Sequence, residues 1–459
     1  MKTVFQRALI AMAAASALGT TLSAQANPAR VDADLQRAEL RYVASELLVQ
    51  FRAGHGLAAR DAVLNAIGAR SAKRLRDAAE GELHLVRLPQ GLAVQDAIRQ
   101  LRANGAVRFV EPNWVYTIQA APNDTYYQSG ALWGVYGDAS PGKQNQFGSQ
   151  AAEAWNLGRD CSSDVVVGII DEGVMTTHPD TQANIWVNPF EIAGNGIDDD
   201  GNGKVDDIHG WDFVSNDNST FDGVGDDHGT HVSGTIGAVR NNGIGVAGIC
   251  GQVKMVNAKF LGAQGGTTAN AILAIDYMTD LKTRHGLNLV ATNNSWGGGG
   301  FSQALKDAID RSGAADILFI AAAGNGNLIG IGQNTDKKPN YPSAYTSENI
   351  IAVASITKKG AKSGFSNFGL VSVDIGAPGS AIVSTVPKMV NGVLTATYAS
   401  YDGTSMATTH VTGAVAYYAS RHPGSTAAQI KAAILGSAVP TASLAGKTVT
   451  GGRLDVSGY

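Results

Sequence analysis

The sequence predicts a doubly wound α/β domain with a mostly parallel sheet, preceded by a small ferredoxin-like α+β unit. Short apolar runs, several of them bare of charge, alternate with helical stretches through residues 122–459. A β-α-β-α-β pattern occupies residues 27–121, and an apolar leader stands before it.

In the leader, Lys2 and Arg7 flank the start of Ala8–Leu22, which is apolar or small throughout, and Ala24-Gln25-Ala26 forms a small-x-small cleavage site. Residues 1–26 therefore read as a secretory signal peptide, the alternative being an uncleaved anchor. The expected location is outside the cell, or the periplasm on the way. No later segment is long and apolar enough to span a bilayer. In the small unit, Glu46–Phe51, Glu82–Leu88 and Val107–Val110 read as strands, the last ended by Pro112. Ala58–Ala69 is helical, with Val63, Leu64 and Ile67 on one side. Val94–Ala103 is likewise helical, through Val94, Ile98 and Leu101. Ala120–Pro122 is a linker. Beyond it, Val165–Ile170, Val253–Lys259, Leu287–Asn293, Ile317–Ala323 and Ile350–Ala354 suit strands buried on both faces. Helices over Gly265–Arg284 and Gln303–Ser312 separate them, there are no internal repeats, and no further C-terminal module is expected.

The 459 residues include 56 Gly and only 16% charged side chains, which excludes a disordered or coiled-coil chain. A net charge of −4 gives no reason to expect a nucleic-acid partner. Residues 1–121 carry 15 Lys+Arg against 10 Asp+Glu, and the remainder 20 against 29. The acidic body has carboxylates to spare for a cation.

Three windows carry chemistry. Val165-Val-Val-Gly-Ile-Ile-Asp171-Glu-Gly173 puts a carboxylate where a buried strand ends. His228-Gly-Thr-His-Val-Ser-Gly234 opens a helix with small residues, and Gly403-Thr-Ser405-Met-Ala407 opens another. In an open parallel sheet, ligands bind at the carboxyl ends of strands, and Asp171, Ser295 and Asn325 each follow such a run. A serine hydroxyl becomes nucleophilic when a histidine takes its proton, and a buried carboxylate fixes that histidine's tautomer and stabilises its cation. The oxyanion formed on attack needs donors. The Ser405 N–H at a helix start and the Asn325 amide, in Ala321-Ala-Ala-Gly-Asn325-Gly, supply them.

The order Asp171, His228, Asn325, Ser405 and the windows around them resemble the subtilisin family over nearly all of residues 122–459, an order that chymotrypsin-like and α/β-hydrolase plans do not share. Any one window alone is more often a buried Asp, a capping Ser or a packed His, and His231 is assigned to packing. The resemblance implies a serine endopeptidase acting on proteins or peptides as a monomer. Ser295-Trp296-Gly297-Gly298 would form one wall of the primary pocket, Ala323 and Gly324 the other, and Asn340 would lie near its floor. Glycine there lets a substrate backbone lie alongside as a strand. No carboxylate falls there, so tolerance of apolar side chains is expected. Two positions depart from the family pattern. Thr409 replaces a proline four residues after Ser405, which leaves open intact hydrolysis, a shift toward peptide ligation, or a crippled enzyme. Glu172 replaces a Ser or Thr and is expected to face outward. A catalytically silent binding protein is the rival of another class.

The stretch from Asp198 through Asp200, Asn202 and Lys204 to Asp207 alternates acid and amide oxygens with glycines, Lys204 offering its carbonyl, and predicts a structural Ca²⁺ site. An Asx-rich turn without an ion is the alternative. By resemblance alone, Asp180 and Asn242 belong to a second calcium site. Cys161 and Cys250 precede strands that are parallel neighbours in this fold type, so a Cys161–Cys250 bridge is expected, the alternative being two separate buried thiols. By resemblance the small unit is a propeptide that assists folding and then inhibits the enzyme. Its tail, Val115–Ala121, would lie in the cleft until self-cleavage between Tyr116 and Asn123. The alternative is a stable domain that stays attached.

Overall fold

The computed structural model describes residues 28–35, 42–78, 81–114 and 121–459. The leader, residues 1–26, and most of the expected cleft-binding tail, 115–120, lie outside them. The chain divides into two compact units, Met1–Thr117 and Ile118–Tyr459.

The first unit contains α1 (Pro28–Asp34), β1 (Tyr42–Phe51), α2 (Leu57–Asn65), β2 (Arg70–Ala78), β3 (Gly81–Arg87), α3 (Val94–Arg102) and β4 (Val107–Trp114). Its sheet has the order β2-β3-β1-β4, antiparallel throughout. This is the ferredoxin-like plan, with two differences from the expectation. β2 was not anticipated, because Arg70-Ser-Ala-Lys-Arg-Leu-Arg-Asp-Ala carries charge on both faces, as protected edge strands do. β4 also continues past Pro112, which pairs with Leu47; a missing N–H is tolerated where no further strand needs it. The buried Val94, Ala97, Ile98 and Leu101 of α3 pack with Leu47, Val49 and Val86 of the sheet.

The second unit begins with α4 (Thr125–Gln128), α5 (Ala151–Asn156), β5 (Val166–Asp171), β6 (Gly210–Asp212), α6 (Asp227–Gly237), β7 (Lys254–Lys259), α7 (Thr268–His285) and β8 (Leu289–Asn294). It continues with α8 (Gln303–Ala314), β9 (Leu318–Ala322), β10 (Ile350–Ile356), β11 (Ile375–Pro378), β12 (Ile382–Val390), β13 (Val393–Tyr401) and α9 (Thr404–Arg421), and ends with α10 (Ala427–Gly436), β14 (Val439–Pro440) and β15 (Gly452–Arg453). The sheet order is β14-β15-β11-β10-β9-β8-β5-β7-β6, parallel except for the β14–β15 pair.

Alternate residues of β5 serve opposite faces. Val167 and Ile169 pack with Val232 and Ile236 of α6 and with Val411 and Val415 of α9. Val166 and Ile170 pack with Ile275 and Met278 of α7 and Ile309 of α8. Both faces are therefore covered, which is why these strands read as unbroken apolar runs. Gly168 leaves room for Met278 at the second face, where a Cβ would stand 2.7 Å from the Met278 Sδ.

Strands β12 and β13 form a two-stranded antiparallel hairpin that is not among the expected elements. Its signal was present: Asn391-Gly392, both with positive φ, is the preferred two-residue turn between such strands. Cys161 and Cys250, ahead of the neighbouring β5 and β7, form the expected bridge with Cα atoms 5.4 Å apart. The bridge ties residues 89 positions apart, so replacing both cysteines by serine should lower stability by about 2–4 kcal/mol in denaturant unfolding.

Candidate active site

Three of the expected residues come off the carboxyl ends of adjacent strands. Asp171 is the last residue of β5, Ser295 follows β8 and Asn325 follows β9. The chain reverses its direction of winding at β5 and β8, the point where open α/β sheets bind ligands.

Asp171 is buried, and its Oδ1 accepts a 2.8 Å hydrogen bond from Nδ1 of His228, in the first turn of α6. That approach needs two glycines. Gly173 has φ +124°, and a Cβ on Gly229 would stand 2.1 Å from the Gly173 carbonyl oxygen. Burial works to lower the basicity of His228, but it is outweighed by the charge and hydrogen bond of Asp171, then by Glu172 and Asp227. The imidazole is pushed up to about 9.

Hairpin β12–β13 grips the next turn of α6. Ser384 Oγ donates to His231 O and Thr385 Oγ1 to Thr230 O, both at 2.7 Å. His231 Nε2 donates to Ile382 O at 2.9 Å, and its ring stacks on Tyr401 at 4.4 Å. Burial lowers His231 to about 3, so it stays neutral, in keeping with a packing role.

Ser405 is buried at the start of α9. Its Oγ donates to Ser295 O at 3.1 Å, and Ser295 Oγ donates back to Ser405 O at 3.0 Å, which ties the end of β8 to α9. Asn325 Oδ1 accepts from Thr404 N at 2.8 Å and Thr404 Oγ1 at 2.9 Å. These bonds fix the amide so that Nδ2 is the end left for a ligand. Thr409 is wholly buried, bonds Met406 O at 2.6 Å, and leaves α9 unbroken from Thr404 to Arg421.

The expected pocket residues also converge. Cβ atoms at Gly297 and Gly324 would each stand 3.1 Å from the Asn340 side chain, so Asn340 lies between the two glycine walls. Ala323 is buried, its O accepting from Asn367 Nδ2 at 2.8 Å. Trp296 packs edge-on against Phe260 at 4.7 Å. Gly298 N donates to Tyr341 O at 3.0 Å, so that donor is taken by the protein itself. Beside this strip lies a pocket of about 340 Å³ between Phe260, Leu261, Trp296, Leu305 and Tyr341, with no acidic side chain in its lining.

Glu172 corrects the sequence reading. Its side chain turns inward, and Oε1 accepts the His228 backbone N–H at 2.5 Å.

In the acidic loop, Glu191, Asp198 and Asp200 can each offer an oxygen within 4.8 Å of the others, and Asn202 Oδ1 is buried with no protein partner. Glu191 escaped the sequence reading because it lies outside the alternating run. Asp207, also expected as a ligand, accepts from Asn188, Asn202 and Tyr277 at 2.8, 3.0 and 2.6 Å and braces the loop. The Lys204 ammonium lies over the Trp211 and Phe213 rings. Asp180 and Asn242 meet as expected, at 2.7 Å, and burial pushes Asp180 up to about 6. Asp124, not anticipated, is a second buried carboxylate acting on Asp180, and its Oδ1 has no protein partner.

The sheet and its rim define a serine hydrolase of the doubly wound α/β type. The chain belongs to the subtilase family, whose model matches residues 162–455, and is a serine endopeptidase; residues 28–113 match the fervidolysin N-terminal prodomain. It is 36% identical to thermitase of Thermoactinomyces vulgaris over 68% of this chain and 90% of that one. It is 34% identical to an extracellular protease of Xanthomonas campestris pv. campestris over 78% of this chain, although it spans only 59% of that protein. A protease from Pseudoalteromonas arctica superposes with a TM-score of 0.59 at 25% identity, covering 74% of this chain and 98% of that one.

Because a Cβ at position 229 would meet the Gly173 carbonyl, Gly229→Ala should separate His228 from Asp171 and reduce kcat by at least about a hundredfold, a loss expected of a misplaced catalytic group.

Proposed function

We propose that the protein is the precursor of an exported endopeptidase of broad specificity, in which Asp171, His228, Ser405 and Asn325 carry out acyl transfer. The observation that carries this is the 2.8 Å Asp171–His228 bond at the strand rim that also holds Ser405 and Asn325. His228 takes the Ser405 proton as Oγ attacks the scissile carbonyl. Asp171 holds the Nδ1–H tautomer and stabilises the cation. The Ser405 N–H and Asn325 Nδ2 take the oxyanion, and water then releases the acyl group. The walls around Asn340 and the pocket beside Trp296, which has no charged side chain in its lining, favour uncharged side chains.

Residues 1–26 act as the export signal, 27–121 as an inhibitory, folding-assisting propeptide, and 122–459 as the enzyme, with self-cleavage between Tyr116 and Asn123. The prodomain match supports the second part. Among the described residues no helix is long and apolar enough to cross a membrane.

Structural calcium fits the loop residues Glu191, Asp198, Asp200 and Asn202, whose donors are all oxygen. Asp124, Asp180 and Asn242 offer the same chemistry at the second place. The ion would supply positive charge to converging carboxylates and hold surface loops closed.

Incubation with a model peptide plus excess amine-bearing peptide should give hydrolysed fragments, absent with Ser405→Ala. Joined peptides would instead establish a ligase, and no Ser405-dependent product would favour a silent binding protein. Activity should rise through the alkaline range, because His228, raised to about 9, acts only after losing its proton. Chelation should lower Tm and speed autolysis, since calcium at a hundredfold excess over its Kd contributes about 3 kcal/mol of stability, and Asp198→Ala should reduce this response.

A further inference from the structure

Glu172 is held from three sides. Its N–H donates to Asp171 Oδ1 at 2.9 Å, its carbonyl oxygen accepts from Lys259 Nζ, and its carboxylate accepts the His228 N–H at 2.5 Å. We propose that Glu172 is a positioning residue for hydrolysis: its carboxylate anchors the first turn of α6 and adds a second negative charge to the one with which Asp171 stabilises the His228 cation. This rests on the assignment of His228 as the base.

The neighbouring charges single out Glu172. Asp226 is paired with Lys259 at 2.5 Å, and Asp222 with the same ammonium at 3.3 Å. Asp227 accepts from the Tyr401 hydroxyl of the hairpin, and His231 is neutral. No ion pair to the Glu172 carboxylate occurs among the described residues, and its hydrogen bond ends on the histidine's own backbone. Asp171 Oδ2 is buried without a protein donor, so one oxygen of that carboxylate does the orienting and the nearby charge of Glu172 adds to its field. Burial, and then the charge of Asp171, push Glu172 up to about 7. Its charge is therefore complete in the alkaline range where His228 works, and it is lost as the pH falls.

The sign of the effect follows. When His228 accepts the Ser405 proton it becomes a cation, and every nearby anion lowers the energy of that state. Removing the charge of Glu172 makes the imidazole less basic. The acidic limb of the rate profile then moves to lower pH, and the rate at the plateau falls. A carboxylate serving only to cap the helix would affect stability and leave the limb in place.

The test compares the processed enzyme with its Glu172→Gln and Glu172→Ala variants, using kcat and KM measured across pH, with Ser405→Ala as control. In both variants the acidic limb should move down by about one pH unit, the usual scale for loss of one adjacent charge. Plateau kcat should fall about tenfold in Glu172→Ala and less in Glu172→Gln, which retains an acceptor for the His228 N–H, with KM little changed. In a Ser405→Ala background, NMR titration of the His228 ring should show the same downward movement on Glu172→Gln, a readout that requires no activity. An unmoved limb and an unmoved ring titration overturn the role of Glu172 while leaving the site assignment intact. Activity persisting in Ser405→Ala overturns the site assignment itself, and the proposal with it.

Discussion

A single buried carboxylate at the end of β5 sets the terms for everything around it. Asp171 has no water-rich surface to share its charge, so the histidine must reach it, and α6 must come close enough to allow this. Glycine at 229 and the left-handed turn at Gly173 follow from that requirement. So does an outside grip on α6, which the hairpin provides through Ser384, Thr385 and Tyr401. The sheet contributes rigidity: β5 is covered by helices on both faces and flanked by β7 and β8, so Asp171 cannot drift along the strand axis.

Ser405, the proposed nucleophile, is placed by other ties. Ser405 and Ser295 exchange hydrogen bonds, and Thr404 turns the Asn325 amide. Each tie joins the start of α9 to the end of a strand. Ser405, Asn325 and the strip around Asn340 are thus fixed to the same sheet that carries Asp171, although each lies more than a hundred residues after it in sequence.

Much of this was legible in the sequence, for physical reasons. Strands buried on both faces read as bare β-branched runs, and chemistry at strand ends falls immediately after them. This was enough to find Asp171, Ser295 and Asn325, and the helix-opening windows supplied His228 and Ser405. What escaped was whatever depends on direction or convergence. Glu172 sits one residue beyond a strand, where alternation no longer says which way a side chain points. Glu191 and Asp124 join their partners only through folding. The edge strand β2 hides behind its charges. The hairpin was announced by Asn391-Gly392, and no apolar run of the length of a core strand drew attention to it.

The hairpin bears on when the molecule becomes dangerous to the cell that makes it. Its second strand ends at Tyr401, four residues before Ser405, so the segment that steadies the proposed base and the segment that bears the proposed nucleophile are made together, long after Asp171 and His228. A ribosome that has released the first 370 residues has delivered Asp171 and His228 with neither the clamp on α6 nor any serine to activate. The order of the chain thus works as a safety catch, keeping a growing polypeptide harmless until the clamp and the proposed nucleophile have both been made.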